Sequence, residues 1–260
     1  MDLDLRGQAA IVTGGSRGIG RAIATRLAHE GMDVAIAARD ARQLMRVKND
    51  IEGPGRRVVV QVADLRDPGA CAMLVGAALE TFGRLDLVVN NAGATKRGDF
   101  LELTEQDWGD GFALKFMAAV RVTRAAWPHL KRCEGSVINI AGVGARTGSA
   151  EFTIGGSVNS AMLNLTKALA DRGTRDGVRV NAINPGSIVT DRLKLRVERV
   201  MKEHGLSYDD AYDKMLADHG VRRFGTVDEI AGAAAFLASR HAAYFNGALL
   251  DIDGGWTRAL

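Results

Sequence analysis

A glycine-rich turn near the start of the chain has the residues needed to hold a phosphate group. It runs from Thr13 to Gly20 as TGGSRGIG, after an apolar run at 9–12 and before a helical pattern that ends near Gly31. At such a turn, backbone N–H groups at the helix N-terminus face an anion, and glycines allow its close approach. We therefore expect a dinucleotide to bind here. The contacting residues predicted are Gly14, Ser16, Arg17, Gly18, Ile19 and Gly20.

The turn resembles the Thr-Gly-x-x-x-Gly-x-Gly opening of the short-chain dehydrogenases/reductases. Three later segments match that family in the same order: NNAG at 90–93, NAINPGSIVT at 181–190 and GALLDIDGG at 247–255. On these motifs the chain is identified as a member of the family. The resemblance implies that Asn91, Ala92 and Gly93 lie beneath the adenosine. It also implies a nicotinamide-side segment, with Pro185, Gly186, Ile188 and Thr190 as the contacts.

Two arginines predict which cofactor is preferred. Family members that prefer NAD carry an acidic residue at the end of the second strand, where this chain has Ala38. Arg39 follows it and Arg17 lies in the glycine-rich turn, so two guanidinium groups are available for a 2′-phosphate. NADP(H) is therefore favoured over NAD(H), unless both arginines are merely exposed. Asp64 and Leu65 match the segment that holds the adenine ring.

The family's proton-transfer residues have no counterparts at the matching positions. The resemblance implies a tyrosine as acid or base, a lysine four residues later that lowers its pKa, a serine that binds the carbonyl and an asparagine in a water relay. The strand SVINIAG at 136–142 and the helix AMLNLTKALA at 161–170 fix the register. The serine, tyrosine, lysine and asparagine positions are then Gly142, Gly155, Asn159 and Lys115.

No shift of register recovers the tyrosine and lysine, because the chain's tyrosines are Tyr208, Tyr212 and Tyr244. The two glycines are expected to leave an open volume beside the nicotinamide. Lys115 could extend into it as an acid or a clamp, or be a salt-bridged or solvated lysine. Tyr208 or Tyr212 could reach in, or pack within a helix at 208–216. Asn159 could bond the ribose hydroxyls.

Two functions follow from these residues. The first is a non-catalytic or regulatory NADP(H)-binding subunit that pairs with itself or with an active paralogue. The alternative is an NADP(H)-dependent oxidoreductase, a carbonyl reductase or alcohol dehydrogenase, or a non-redox enzyme, with acid/base chemistry moved to Lys115 or a lid tyrosine. Because all four relay positions are changed, the sequence alone favours the first. A small-molecule ligand fits both.

The elements that must position these residues alternate along the chain. A length of 260 residues with 47% apolar content can bury a large core, and no linker or repeat is visible. We predict one Rossmann-like α/β domain at 1–260, a doubly wound parallel sheet of seven strands with helices on both faces and a variable lid at about 191–222. The predicted strands are Ala9–Val12, Asp33–Ala37, Val58–Val62, Leu85–Val89, Ser136–Ile140, Arg179–Ile183 and Ala248–Ile252.

Charge and composition restrict the partners. The net charge of +3 is small and dispersed, which argues against nucleic acid, and the basic segment 192–196 is predicted to be a solvated helix face. The two cysteines lack metal-ligand spacing, no apolar run is long enough for a membrane, and the start is not a secretory signal, so we expect no metal and a cytoplasmic location. Apolar faces at Trp108–Lys131, Asn159–Asp171 and Phe245–Trp256 predict a homodimer or tetramer, or a heteromer with an active relative.

Overall fold

The structure, a computed structural model, describes residues 2–258. They form one parallel sheet in the order β3-β2-β1-β4-β5-β6-β7. The strands are β1 Ala9–Thr13, β2 Asp33–Ala38, β3 Val58–Val62, β4 Leu87–Asn90, β5 Ser136–Ile140, β6 Arg179–Pro185 and β7 Leu249–Ile252. The helices are α1 Gly18–His29, α2 Ala41–Ile51, α3 Pro68–Phe82, α4 Glu105–Gly111, α5 Ala118–Arg132, α6 Thr153–Asp176, α7 Asp191–His204, α8 Tyr208–His219 and α9 Val227–Ala238. The predicted single doubly wound domain is confirmed, and every predicted strand end lies within two residues of the observed one.

Helices cover both faces of the sheet, which is why an inner strand such as β1, AAIVT, is a nearly continuous apolar run. All five residues of β1 are buried. Ala10 and Val12 pack with α1, α2 and α9 on one face. Ala9 and Ile11 pack with α3 and α5 on the other. The alternation follows from the two-residue period of a strand.

The strand order reverses between β1 and β4, because β1 pairs with β2 on one side and with β4 on the other. In open parallel sheets, ligands bind in the crevice at such a switch point, at the carboxyl ends of the strands. The glycine-rich turn follows β1, and NNAG begins at the last residue of β4. Both predicted cofactor segments therefore lie at this edge.

The helix predicted over Trp108–Lys131 is interrupted. After α4, residues Phe112–Met117 form a π-helical segment before α5 begins. A π-helical turn is rare, is wider than an α-helical one and often lies at a functional site. It changes the direction in which Lys115 leaves the helix.

The predicted lid segment, 191–222, consists mainly of α7 and α8. The two helices form their own apolar cluster around Leu193, Val197, Ala211 and Met215. The helix expected at 208–216 extends to His219. No helix within residues 2–258 has the length and apolar character to cross a membrane.

Candidate active site

Hydrogen bonds hold the ends of β1 and β4 together. The Thr13 hydroxyl accepts from the backbone N–H groups of Asn91 at 2.9 Å and Ala92 at 3.0 Å. The Asn91 side chain donates back to the Thr13 carbonyl at 2.9 Å. A Cβ on Gly20 would lie 2.3 Å from the Gly14 oxygen, so only glycine fits where α1 passes this turn. The predicted residues Asn91, Ala92, Gly14 and Gly20 thus form one rigid cradle.

The N-terminus of α1 fits a phosphate group. Gly14 and Gly18 have φ of +68° and +54°, a region that glycine enters without strain. α1 begins at Gly18, and no side chain of the described residues caps its first N–H groups. These groups are free to bind an anion, and the helix dipole favours one there. A Cβ on Gly18 would lie 3.6 Å from the Thr190 methyl group, so the end of the predicted nicotinamide-side segment lies beside the predicted phosphate site.

The adenosine end carries the predicted arginines. Arg17 and Arg39 are exposed, and neither forms an ion pair within residues 2–258. Arg39 lies close enough to Asp64 to lower the pKa of that carboxyl, although the larger effect is the hydrogen bond from Arg66. Because Arg66 and Asp64 are paired at 2.6 Å, this carboxylate is already engaged.

Lys115 points inward from the π-helical segment. Its Nζ donates to the Ala141 carbonyl and to Asn159 Oδ1, both at 2.6 Å. No carboxylate pairs with it among the described residues, and burial lowers the pKa of Lys115 to about 7, with a smaller effect from Arg192. A lysine with this pKa is present in both protonation states near neutral pH. Lys115 is therefore neither salt-bridged nor simply solvated, and it has the pKa of an acid/base group.

Asn159 completes the pair from α6. Its side chain is buried, and Oδ1 accepts from Lys115. Nδ2 makes no hydrogen bond to any part of the chain that the structure describes, and a Cβ on Gly142 would lie 3.1 Å from it. By the family register, Lys115 occupies the asparagine position and Asn159 the lysine position. The structure brings these two side chains into direct contact, and the predicted register makes them the family's lysine and asparagine in exchanged places.

The open volume expected at Gly155 is absent. The ring of Phe152 fills that space, since a Cβ on Gly155 would lie 2.0 Å from it and one on Gly144 would lie 2.8 Å from it. The expectation of an empty tyrosine position is wrong, because an aromatic ring from the preceding turn has taken the place. Gly142 has φ of +143°, which a serine would adopt only with strain.

The lid tyrosines contact other aromatic rings. Tyr208 and Tyr212 stack with centroids 6.4 Å apart, and Tyr212 meets Phe224 edge-on at 4.8 Å. Packing within α8 is thus the interpretation that fits their contacts. Lys115 and Asn159 are the two candidates that the structure brings together.

Several residues of this region were not identified from sequence. The Arg97 guanidinium lies 3.9 Å from the Phe152 ring centroid. No sequence pattern indicates this contact, because it depends on the fold. The sequence predicts a solvated helix face at 192–196, but Arg196 is partly buried and donates to the Ser187 hydroxyl at 3.0 Å. Arg192 donates to the Gly93 carbonyl at 3.0 Å. Within residues 2–258, no three His, Cys, Asp or Glu side chains are arranged to hold a metal ion.

Comparisons with known proteins identify the family of this chain. A family model described as enoyl-(acyl carrier protein) reductase matches residues 14–257. An uncharacterized oxidoreductase of Mycobacterium tuberculosis is 37% identical over 252 residues, 96% of this chain and 92% of that protein. Gluconate 5-dehydrogenase of Gluconobacter oxydans is 33% identical over 260 residues, 98% of this chain and 97% of that protein.

A solved structure has nearly the same fold. L-sorbose reductase of Gluconobacter frateurii, complexed with NADPH and L-sorbose, superposes with a TM-score of 0.95 at 30% identity, and both chains are covered in full. The matches extend over nearly the full length of this chain and of each relative. The chain belongs to the short-chain dehydrogenase/reductase family of oxidoreductases.

Proposed function

We propose that the protein is an NADP(H)-dependent oxidoreductase that interconverts a carbonyl group and an alcohol, with Lys115 as the proton carrier. The observation that carries this proposal is the contact of Lys115 Nζ with Asn159 Oδ1 at 2.6 Å, beside the predicted nicotinamide segment. The family relationship and the oxidoreductase names of the relatives support it.

Asn159 and Lys115 have different roles at the substrate oxygen. When bound, the nicotinamide supplies the hydride for reduction and accepts it in the reverse direction. In reduction, Asn159 Nδ2 donates a hydrogen bond to the carbonyl oxygen, and the Lys115 ammonium gives its proton to the alkoxide that forms. In oxidation, the neutral Lys115 amine takes the alcohol proton. A pKa of about 7 suits both directions at neutral pH.

NADP(H) is the proposed cofactor. Arg17 and Arg39 are exposed and unpaired with any described carboxylate, so both are available to a 2′-phosphate. The L-sorbose reductase structure contains NADPH, which supports the same choice. The first substrates to test are keto-sugars, because gluconate and L-sorbose, named for two relatives, are six-carbon polyhydroxy compounds.

The hypothesis of a non-catalytic subunit rests on Gly142 and Gly155, which carry no side chain that could donate or accept a proton. The oxidoreductase reading is better supported, because the relatives are named as enzymes and Lys115 provides a proton donor. Assembly as a homodimer or tetramer, or with an active paralogue, stays a prediction, as does the role of residues 191–222 as a lid. Dimerisation would bury the apolar faces of α5 and α6.

NADPH consumption with a panel of ketoses and keto acids tests the function. Replacing Lys115 by Met removes the ammonium but keeps an unbranched side chain. We expect turnover to fall about 10²–10⁴-fold, the usual contribution of acid/base catalysis, with NADPH affinity largely retained. The matched control is Lys167→Met at an exposed position of α6. Tight NADPH binding by the native protein with no turnover of any carbonyl would favour the non-catalytic subunit instead.

A further inference from the structure

A cluster of arginines lies where α7 faces the loop after β4. Arg192, Arg196 and Arg199 are spaced i, i+4, i+7, which puts them on one face of α7. Arg97 belongs to the loop between β4 and α4. After burial, which has the largest effect, the positive charges of all three helix arginines lower its pKa. The sequence has nearly equal numbers of basic and acidic residues, 34 and 31, so this concentration of one sign is local.

No carboxylate within residues 2–258 forms an ion pair with Arg97, Arg192, Arg196 or Arg199, although fourteen ion pairs occur elsewhere. Burial, followed by the charges of Arg196 and Arg199, lowers the pKa of Arg97 to about 10. Glu151 acts in the opposite direction but more weakly. Like charges gathered without counterions repel one another, and an anion placed among them would relieve that repulsion.

The cluster adjoins the Lys115–Asn159 pair. Arg97 stacks on Phe152, and that ring lies against Gly155 and Gly144. A Cβ on Gly144 would be 3.5 Å from Asn159 Nδ2, so Phe152 and Asn159 flank the same glycine. On the other side, Arg196 is held by Ser187, which follows the nicotinamide-side residues Pro185 and Gly186.

Arg192 lies beside two predicted dinucleotide segments. Arg192 donates a hydrogen bond to the Gly93 carbonyl. Burial lowers the pKa of Arg192, and the nearby charge of Arg17 lowers it further. Gly93 and Arg17 are both in predicted dinucleotide segments. The remaining three arginines, Arg97, Arg196 and Arg199, have no such assignment.

We propose that Arg97, Arg196 and Arg199 bind an anionic group of the substrate, a carboxylate or a phosphate, while its carbonyl lies at the Lys115–Asn159 pair. This rests on the proposed function, because it assumes that a carbonyl is bound there. Guanidinium groups suit such a role, since their fixed N–H donors match the oxygens of carboxylates and phosphates. The substrate would then be a keto acid or a phosphorylated ketose rather than a neutral ketone.

Three substrates, two of them matched, test the charge requirement. 5-Keto-D-gluconate and L-sorbose share a carbon skeleton and differ in a carboxylate against a CH₂OH group, and fructose 6-phosphate represents the phosphate class. We expect kcat/KM to favour one of the two anions over L-sorbose by tenfold or more. In Arg97→Gln and Arg196→Gln that ratio should fall about tenfold or more, Arg97→Lys should restore part of it, and Arg175→Gln at the far end of α6 should leave it unchanged.

Calorimetry separates this proposal from the proposed function. Gluconate or a sugar phosphate is titrated into the NADPH complex, where no turnover is needed. Binding that is lost in Arg97→Gln and Arg196→Gln supports the anion site even if no carbonyl is reduced. Turnover of neutral ketoses with a ratio that neither variant changes overturns it. An equal loss of NADPH affinity in both variants also overturns it, because the cluster would then serve the cofactor.

Discussion

The cradle after β1 and the Lys115–Asn159 pair lie at the same edge of the sheet, but different parts of the chain build them. In the cradle, backbone N–H groups and glycines form the predicted phosphate site, within one short segment and its neighbour on β4. In the pair, two side chains meet that are 44 residues apart in sequence. A backbone site tolerates little change in its glycines. A side-chain site can exchange its members, as long as the same groups reach the same place.

The largest expected effect on stability concerns the cradle. Gly20→Ala would place a Cβ 2.3 Å from the Gly14 oxygen, which is backbone and cannot move aside. We expect a loss of about 3 kcal/mol in the free energy of unfolding, at the upper end for overpacking, together with weaker NADPH binding. Urea unfolding measures the change in stability, and fluorescence titration measures the affinity for NADPH. The control is Gly76→Ala in α3, where the new Cβ meets nothing within 4 Å and should add about 0.5–1 kcal/mol.

Cofactor choice comes next. Arg39→Asp removes a guanidinium and adds a carboxylate that can bond a ribose hydroxyl, so the preference for NADPH over NADH should reverse. The change should be about 1.5–3 kcal/mol, as for hydrogen bonds to charged groups. Titration of both cofactors measures it, with Arg175→Asp as the same charge change elsewhere. Equal affinities of the unmodified protein for NADPH and NADH would show that Arg17 and Arg39 do not bind the 2′-phosphate.

The third prediction tests whether the family arrangement can be rebuilt. Gly155→Tyr would force Phe152 out of the space it occupies, at a cost of about 1–3 kcal/mol in stability. Gly155→Tyr with Phe152→Ala should recover most of that loss. Thermal unfolding of the two variants measures the difference. If Gly155→Tyr alone is as stable as the native protein, the ring does not hold that place in solution.

The smallest effect is the pH dependence. Reduction needs protonated Lys115, so kcat/KM should be flat at low pH and fall tenfold per pH unit above about 7. Oxidation needs the neutral amine, so it should rise up to about 7 and then level off. His219 does not interfere, since burial lowers its pKa to about 4. In Lys115→Met, the fall in reduction above pH 7 and the rise in oxidation below pH 7 should both disappear. If either pH dependence remained, its pKa would belong to another group.

Local sequence was enough for the fold and most of the cradle. Apolar strands alternate with helical patterns, and glycines follow β1 at the spacing that a phosphate turn needs. These features depend on neighbours in sequence, so the register from Thr13 to Gly20 could be read directly. The identities of Gly142, Gly155 and Asn159 were equally visible, together with the absence of a tyrosine before Tyr208.

The contacts made around Gly155 and Asn159 were decided by tertiary structure. Nothing in the sequence near Lys115 shows that a π-helical segment turns it toward Asn159, or that burial without a carboxylate lowers its pKa. The position of Phe152 over Gly155 depends on how the turn before α6 packs. Sequence determined which residue types stand at positions 115, 142, 155 and 159, because side-chain identity is local. Only the fold determined which groups those residues contact, because distance, burial and charge are set by residues far apart in the chain.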